Sequence, residues 1–423
     1  MELTPATHLR DLARVRREAG DSAAALIETV QLRRKAGAKL LDASAWLFTD
    51  DALQQATPTL VARARAARLA GRAVHDVTCS IGAELAELAR VCPAVVGSDL
   101  DEVRLSMAAH NLAPHWVPLP GPDSTGHLAD SVSDAQPGAA FARGDSGSSA
   151  NAGAADPAQP TIVRAFGGHR SAAGNVVLAK ADALVPVSAG AVVIADPARR
   201  ADGRRTHDPA KLQPPLPDLI AAYPGRDLVV KCAPGLDFDR LDWSGEIEVV
   251  SLDGAVREAC LWSAGLADSS VTRRASVLTS AGASFTLTDA DPDDIPEQAP
   301  GEWIVDPDGA VVRAGLVRQY AAKHGLWQLD PHIAYLTGDR VPDGMRGFRI
   351  IDRLELREKT LRQELARRDC GALEILVRGV DIDPDALRKR LKLRGVNPYT
   401  LVITRIGRNA AVFLCTPHRT SAT

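Results

Sequence analysis

No two of the six cysteines (Cys79, Cys92, Cys232, Cys260, Cys370, Cys415) form a CxxC pair or stand in a Cys/His cluster. This scatter excludes a disulfide framework and a zinc-ligand set, and it fits a reducing cytoplasm. No apolar run approaches the ~20 residues needed to cross a bilayer. The start, MELTPATHLRDLARVRREAG, carries charges throughout and lacks an apolar core, so a secretory signal is not expected. Neither sign of charge dominates: 50 Lys and Arg against 53 Asp and Glu leave a net −3. Any case for nucleic acid must therefore rest on a local patch. What is present is the composition of a globular protein, 45% hydrophobic and 24% charged over 423 residues, enough for two or three domains. The expectation is a cytoplasmic protein with no membrane partner and no metal; nothing fixes its oligomeric state.

Residues 1–72 carry apolar positions at helical spacing, among them Leu9, Leu12 and Val15, then Leu26, Ile27 and Val30. From 73 the pattern alternates. Candidate strands are AVHDV (73–77), AVVGSD (94–99), NVVLAKAD (175–182), AVVIADP (191–197), DLVVKCAP (227–234) and EIEVVSLD (246–253), with helical stretches at 83–91, 101–112 and 215–223. Short apolar strands alternating with helices predict an α/β domain over 73–287 with a Rossmann-like, mostly parallel sheet. The stretch at about 118–160, rich in Ala, Gly, Ser, Pro and Asp, offers little to bury and is expected to be a disordered insertion. TDADPDDIPEQAPGEW (288–303) suggests a boundary, and 288–347 an adaptor. From 348 to 418 the order β, α, β, α, β, β predicts a small α+β unit, with Asp383-Pro384 starting a helix and Gly395 ending it.

The loop DVTCSIG (76–82) follows the first strand and carries one glycine, Gly82, where a dinucleotide loop has three. A pyrophosphate needs those glycines and gains nothing from Asp76. S-adenosylmethionine has no phosphate; it presents an ammonium and a sulfonium, which a carboxylate suits. Asp99, 17 residues beyond Gly82, stands where a strand-end carboxylate accepts both ribose hydroxyls, a feature shared by NAD and S-adenosylmethionine sites. Asp182 ends the third strand, where an adenine amino group can be met, and Asp196-Pro197 ends the fourth. Any one of these carboxylates alone reads equally well as a cap or turn residue. Four at successive strand ends do not.

In order, DVTCSIG, GSDLD, KADAL and ADPARR resemble the four motifs of class I S-adenosylmethionine-dependent methyltransferases, over about 70–265. DVTCSIG is most similar to the subgroup with RNA guanine methyltransferases and cap trimethylguanosine synthases. The resemblance implies cofactor contacts at Asp76, Thr78, Cys79, Ser80 and Gly82, at Asp99 and Leu100, and at Asp182 and Ala183. It implies that the fourth motif faces the acceptor, with Asp196, Pro197 and Arg199 as the catalytic group. The family pattern there is Asp/Asn-Pro-Pro and an aromatic; Ala198 replaces the second proline and Arg199 the aromatic, which departs from simple base-amine methylation. Arg199, Arg200, Arg204 and Arg205 can stack on a base, hold a phosphate or form a solvated basic loop. Lys231 in VVKCAPGLD ends a strand on the same edge. Gln55 and Thr57 can contact the ligands, though Thr57 with Pro58 reads equally as a helix start.

VRGVDIDPDALRKRLKLRG and YTLVITRIGRNAAVFLC resemble the THUMP-like domain that follows some bacterial methyltransferase domains. Residues 348–418 hold 15 Lys and Arg against 9 Asp and Glu, a balance of 15 − 9 = +6. Arg388, Lys389, Arg390, Lys392 and Arg394 lie on one predicted helix and its end, as a phosphate-binding patch or a solvated helix face would. No aromatic residues interleave with them, so single-strand base readout by this unit is not expected. The sequence thus favours methyl transfer to RNA. Transfer to a protein or small molecule, and a non-catalytic RNA-binding descendant, stand beside it; an NAD dehydrogenase is a poor fit.

Overall fold

The computed structural model describes residues 7–113, 116–118, 169–171, 174–198, 200–201, 204–205 and 208–419. Apart from Pro118, the insertion expected at about 118–160 lies outside them. The chain forms two compact units, 1–246 with 258–267 and 247–257 with 268–423. The polar stretch at 288–303 therefore lies within the second unit.

Four helices open the first unit: α1 (His8–Ala19), α2 (Ala23–Ala36), α3 (Asp50–Gln55) and α4 (Thr59–Arg68). Thr49 caps α3, its hydroxyl accepting the Ala52 N–H at 3.1 Å. Then come β1 (Ala73–Asp76), α5 (Ala83–Leu88), β2 (Ala94–Asp99) and α6 (Glu102–Leu112), the last capped by Asp101. β3 (Trp116–Pro118), β4 (His169–Ser171), β5 (Gly174–Lys180) and β6 (Val192–Ala195) follow, with a two-residue ribbon of β7 (Arg200–Ala201) and β8 (Arg204–Arg205). The rest is α7 (Leu216–Ala222), β9 (Leu228–Cys232), the start of β10 (Glu246–Leu252) and most of β11 (Ala255–Trp262).

The strands run β5–β2–β1–β6–β9–β11. All neighbours are parallel except β11, which lies antiparallel to β9. Every residue of β6 and β9 is buried, as for strands covered on both faces. One core joins Leu32 and Ala36 of α2, Trp46 and Phe48, Leu85 and Leu88 of α5, and Val74, Val95 and Ile194 of the sheet. His75 is buried in mid-β1 because both ring nitrogens are satisfied, by Ser188 Oγ at 2.8 Å and Ser98 Oγ at 2.9 Å. The chain lays β1, β2 and β5 in one direction and then returns to place β6 and β9 on the other side of β1. Sheets of this kind open a crevice at that reversal, beyond the carboxyl ends of the strands.

In the second unit β10 pairs in parallel with β12 (Arg273–Leu278), and β12 antiparallel with β13 (Phe285–Thr288). β14 (Trp303–Asp306), α8 (Gly309–Ala314), α9 (Val317–His324), β15 (Trp327–Asp330), β16 (Ile333–Gly338) and β17 (Arg346–Leu354) follow. After them come α10 (Glu358–Arg367), β18 (Cys370–Arg378), α11 (Pro384–Leu391), β19 (Asn397–Ile406) and β20 (Asn409–Arg419). Seven strands make one mixed sheet, β15–β16–β14–β17–β20–β19–β18. The segment read as an adaptor thus supplies β14, β15 and β16 to the sheet of the C-terminal unit. Leu361, Leu365, Leu387 and Leu391 of α10 and α11 pack on Leu401 and Ile403, while the intervening Val402 faces Phe348 and Phe413 in a separate cluster. That alternation is the two-residue period of a strand buried on both sides.

Candidate cofactor and acceptor site

Asp76 ends β1, Asp99 ends β2, Asp182 stands two residues past β5, and Asp196 directly follows β6. All four line one cavity of about 550 Å³ in the first unit. Cavities of roughly 300–1,000 Å³ are the size class of small-molecule and cofactor sites.

Asp76 is buried. Its Oδ1 accepts the Thr78 backbone N–H at 3.0 Å. Burial, then the nearby Glu84 carboxylate, push Asp76 up to about 7. Asp99 is half-buried and draws two backbone N–H groups, Ser80 to Oδ2 at 2.9 Å and Asp101 to Oδ1 at 3.0 Å. It therefore holds the first loop against the end of β2. Ser80 is left-handed at φ +48° and Gly82 at φ +82°. A Cβ at Gly82 would stand 3.3 Å from Ala108 Cβ, so this glycine lets the loop pack closely on α6; it does not line the cavity. Cys79 points into the core, where burial raises its thiol well above the usual range.

Leu100 is 62% exposed and lines the cavity, as does Ala183. Tyr223 donates to the Ala183 carbonyl at 2.9 Å. Asp182 is exposed and caps its own turn, accepting the Leu184 N–H at 2.9 Å.

Asp196 is fixed at main chain and side chain. Its N–H donates to Thr78 Oγ1 at 2.7 Å, and its Oδ2 accepts from Lys231 Nζ at 2.5 Å. The same ammonium donates to Thr57 Oγ1 at 2.5 Å. Thr57 thus serves the cavity, and α4 begins without a side-chain cap. Pro197 is buried and lines the cavity; Ala198 makes two backbone hydrogen bonds with Gln213, which brings Pro214 and Pro215 to the wall. Arg199 lies outside the described residues, and the backbone of Arg200 pairs with Arg205.

The C-terminal basic residues form a set of a different kind. Asp383 caps α11 with two hydrogen bonds, as expected, but the helix ends at Leu391, with Lys392 left-handed behind it, rather than at Gly395. Arg388 turns inward to the Leu373 carbonyl at 2.9 Å and to Asp385, and Arg390 pairs with Glu358 at 3.2 Å. Lys389, Lys392 and Arg394 are exposed.

Glu84 at the cavity, and Arg65 and Glu258 behind it, escape sequence reading. Glu84 of α5 lines it, with its Oε2 on Arg65 Nη1 at 2.6 Å, and Arg65 also pairs with Glu258. Their only signal is a charge at an otherwise apolar position. Among the described residues, no group of three or more His, Cys, Asp or Glu is placed to hold a metal ion, and no helix is long and apolar enough to cross a membrane.

The reversal point and its acidic strand ends define a Rossmann-like α/β domain with a cavity at the carboxyl edge of its sheet, the place where folds of this kind bind their ligands. The THUMP domain-like family profile matches residues 345–417. The chain is 50% identical over 413 residues to uncharacterized S-adenosylmethionine-dependent methyltransferases of two Mycobacterium tuberculosis strains, CDC 1551 / Oshkosh and ATCC 25618 / H37Rv. The match spans 95% of this chain and 99% of each relative. The crystal structure of a candidate methyltransferase from Porphyromonas gingivalis W83 shares the fold, with a TM-score of 0.64, 17% identity and coverage of 93% of this chain and 90% of that one. The chain belongs to the S-adenosylmethionine-dependent methyltransferase family. The cavity suits that cofactor's charges: Asp76 and Glu84 stand at one end, and the buried Ser80 Oγ and Glu84 Oε1 have no hydrogen-bond partner among the described residues.

Proposed function

We propose that this methyltransferase acts on RNA, with Asp76 holding the cofactor's amino group, Asp99 its ribose hydroxyls, and Leu100 and Ala183 flanking its adenine near Asp182. The observation that carries the reading is the double fixing of Asp196, by Thr78 and Lys231, inside the cavity that also holds Asp76 and Asp99. S-adenosylmethionine supplies an electrophilic methyl group. Asp196 then needs only to accept a hydrogen bond from the acceptor's N–H or O–H, hold its lone pair in line with that methyl, and pass the released proton to water. Placement of this kind does much of the work in methyl transfer. Pro197 and the Gln213–Pro215 wall border the acceptor side.

Support for RNA comes from the THUMP domain-like match and from the exposed Lys389, Lys392 and Arg394. Cations of this sort bind phosphates without reading sequence. The paired Arg388 and Arg390 contribute less. The test supplies labelled S-adenosylmethionine to an extract of cells lacking the protein, from which RNA, protein and small molecules are then separated. Label should enter RNA with the wild type and fall about a hundredfold or more with Asp196→Ala. Label in protein or small molecules with none in RNA would overturn the RNA assignment.

A further inference from the structure

Charge does not balance at the Asp76 end of the cavity. Asp76, Glu84 and Glu258 are all more than nine-tenths buried, and so is Arg65, the one guanidinium paired with two of them. The neighbouring cation, Lys231, is engaged by Asp196. Buried carboxylates in excess of their partners are costly in a protein interior, so such a site favours a cationic ligand. A second observation shows where that ligand meets the protein. Arg65 occupies Glu84 Oε2, while Glu84 Oε1 is buried, lines the cavity and has no hydrogen-bond partner among the described residues. Ser80 Oγ shares that condition.

We infer that Glu84 is a second cofactor-binding carboxylate, which with the Ser80 hydroxyl grips the ammonium of the amino-acid moiety beside Asp76. Arg65 and Glu258 are its support: they hold Oε2 and leave Oε1 toward the ligand. The inference rests on the cofactor reading above.

Calorimetry with two ligands tests it: S-adenosylhomocysteine, which carries the ammonium, and 5′-methylthioadenosine, which shares the nucleoside but has no amino-acid end. Glu84→Gln keeps the shape and an oxygen for Arg65. It should weaken S-adenosylhomocysteine about ten- to a hundredfold, the scale of one charge-assisted hydrogen bond, and leave 5′-methylthioadenosine within about twofold. Unchanged S-adenosylhomocysteine affinity, or equal losses for both ligands in a folded variant, would overturn the assignment of Glu84 while leaving Asp76 and the cofactor reading intact. Failure of the wild type to bind either ligand would instead overturn that reading. Should Glu84→Gln not fold, Ser80→Ala removes the other unpartnered acceptor without touching Arg65. It should show the same selective loss, and unchanged S-adenosylhomocysteine affinity, or equal losses for both ligands, in Ser80→Ala would count against the site.

Discussion

Two neighbours on β1, His75 and Asp76, titrate away from their ordinary values in opposite senses, and each has a consequence. Burial and then Glu84 raise Asp76 to about 7, so the empty site binds a proton where the ordinary value of 3.8 would leave it ionised. A cationic ligand needs the ionised form. S-adenosylhomocysteine should therefore bind more tightly as pH rises from 6 toward 7, by up to about tenfold per pH unit, and level off above it. Asp76→Asn should bind weakly with no such slope; a pH-independent wild type would contradict this role. Burial and then the Arg226 guanidinium push His75 down to about 4 from 6.5. His75 is neutral in the fold, so above 6.5 it costs nothing, and stability is lost as pH falls from 6.5 toward 4. The full shift corresponds to about 3 kcal/mol. Asp76 acts with the opposite sign, its raised value removing stability as pH climbs from 3.8 to 7. Urea midpoints at pH 7 and pH 5 should fall less on acidification in His75→Asn than in the wild type, and an equal fall would contradict the assignment. At Gly82 the constraint is conformational: Gly82→Ala places a side chain at φ +82° and should cost about 1–2 kcal/mol in denaturant unfolding.

At the scale of elements, the clamp joining β6, β9 and the turn before α4 deserves a direct trial. Lys231→Met removes the ammonium from Asp196 and Thr57 but keeps an apolar stem in a buried slot. Its turnover should drop about tenfold or more, with cofactor affinity changed by less than about threefold. A loss of affinity with unchanged turnover would place Lys231 in cofactor binding instead. Much of the first unit was legible because β1, β2, β6 and β9 are short apolar runs closed by Asp or Lys, a pattern that marks both strand and sheet edge. β11, β12 and β13 were not, since VREAC and RRASV mix charges into strands that are only partly covered. WIVD and WQLD are too short to stand out in a sequence, which is why 288–347 reads there as an adaptor. The strand-end carboxylates were readable for the same reason as the strands. Arg65 and Glu84 on helices and Glu258 on β11 are not, because nothing in a sequence says that a lone charge will be buried. The pairing of Arg390 is equally hidden, since it depends on Glu358 approaching from another helix, and so is the bond from Arg388 to the Leu373 carbonyl of β18.

For the whole molecule, the chain carries a THUMP domain-like unit beside its methyltransferase domain, and RNA is the proposed acceptor. Phosphate contacts make affinity fall with salt in proportion to their number. Replacing Lys389, Lys392 and Arg394 together by alanine in the full chain should weaken retention of total RNA and reduce the salt slope by about 2. S-adenosylhomocysteine affinity should be unchanged, because these residues line no part of the cavity. An unaltered slope would remove this surface from the account. The central claim is tested most directly by mass spectrometry of nucleosides from total RNA of cells with and without the protein. One methylated nucleoside should vanish in its absence, return with the wild-type chain and stay absent with Asp196→Ala. An identical nucleoside profile in all three would contradict it.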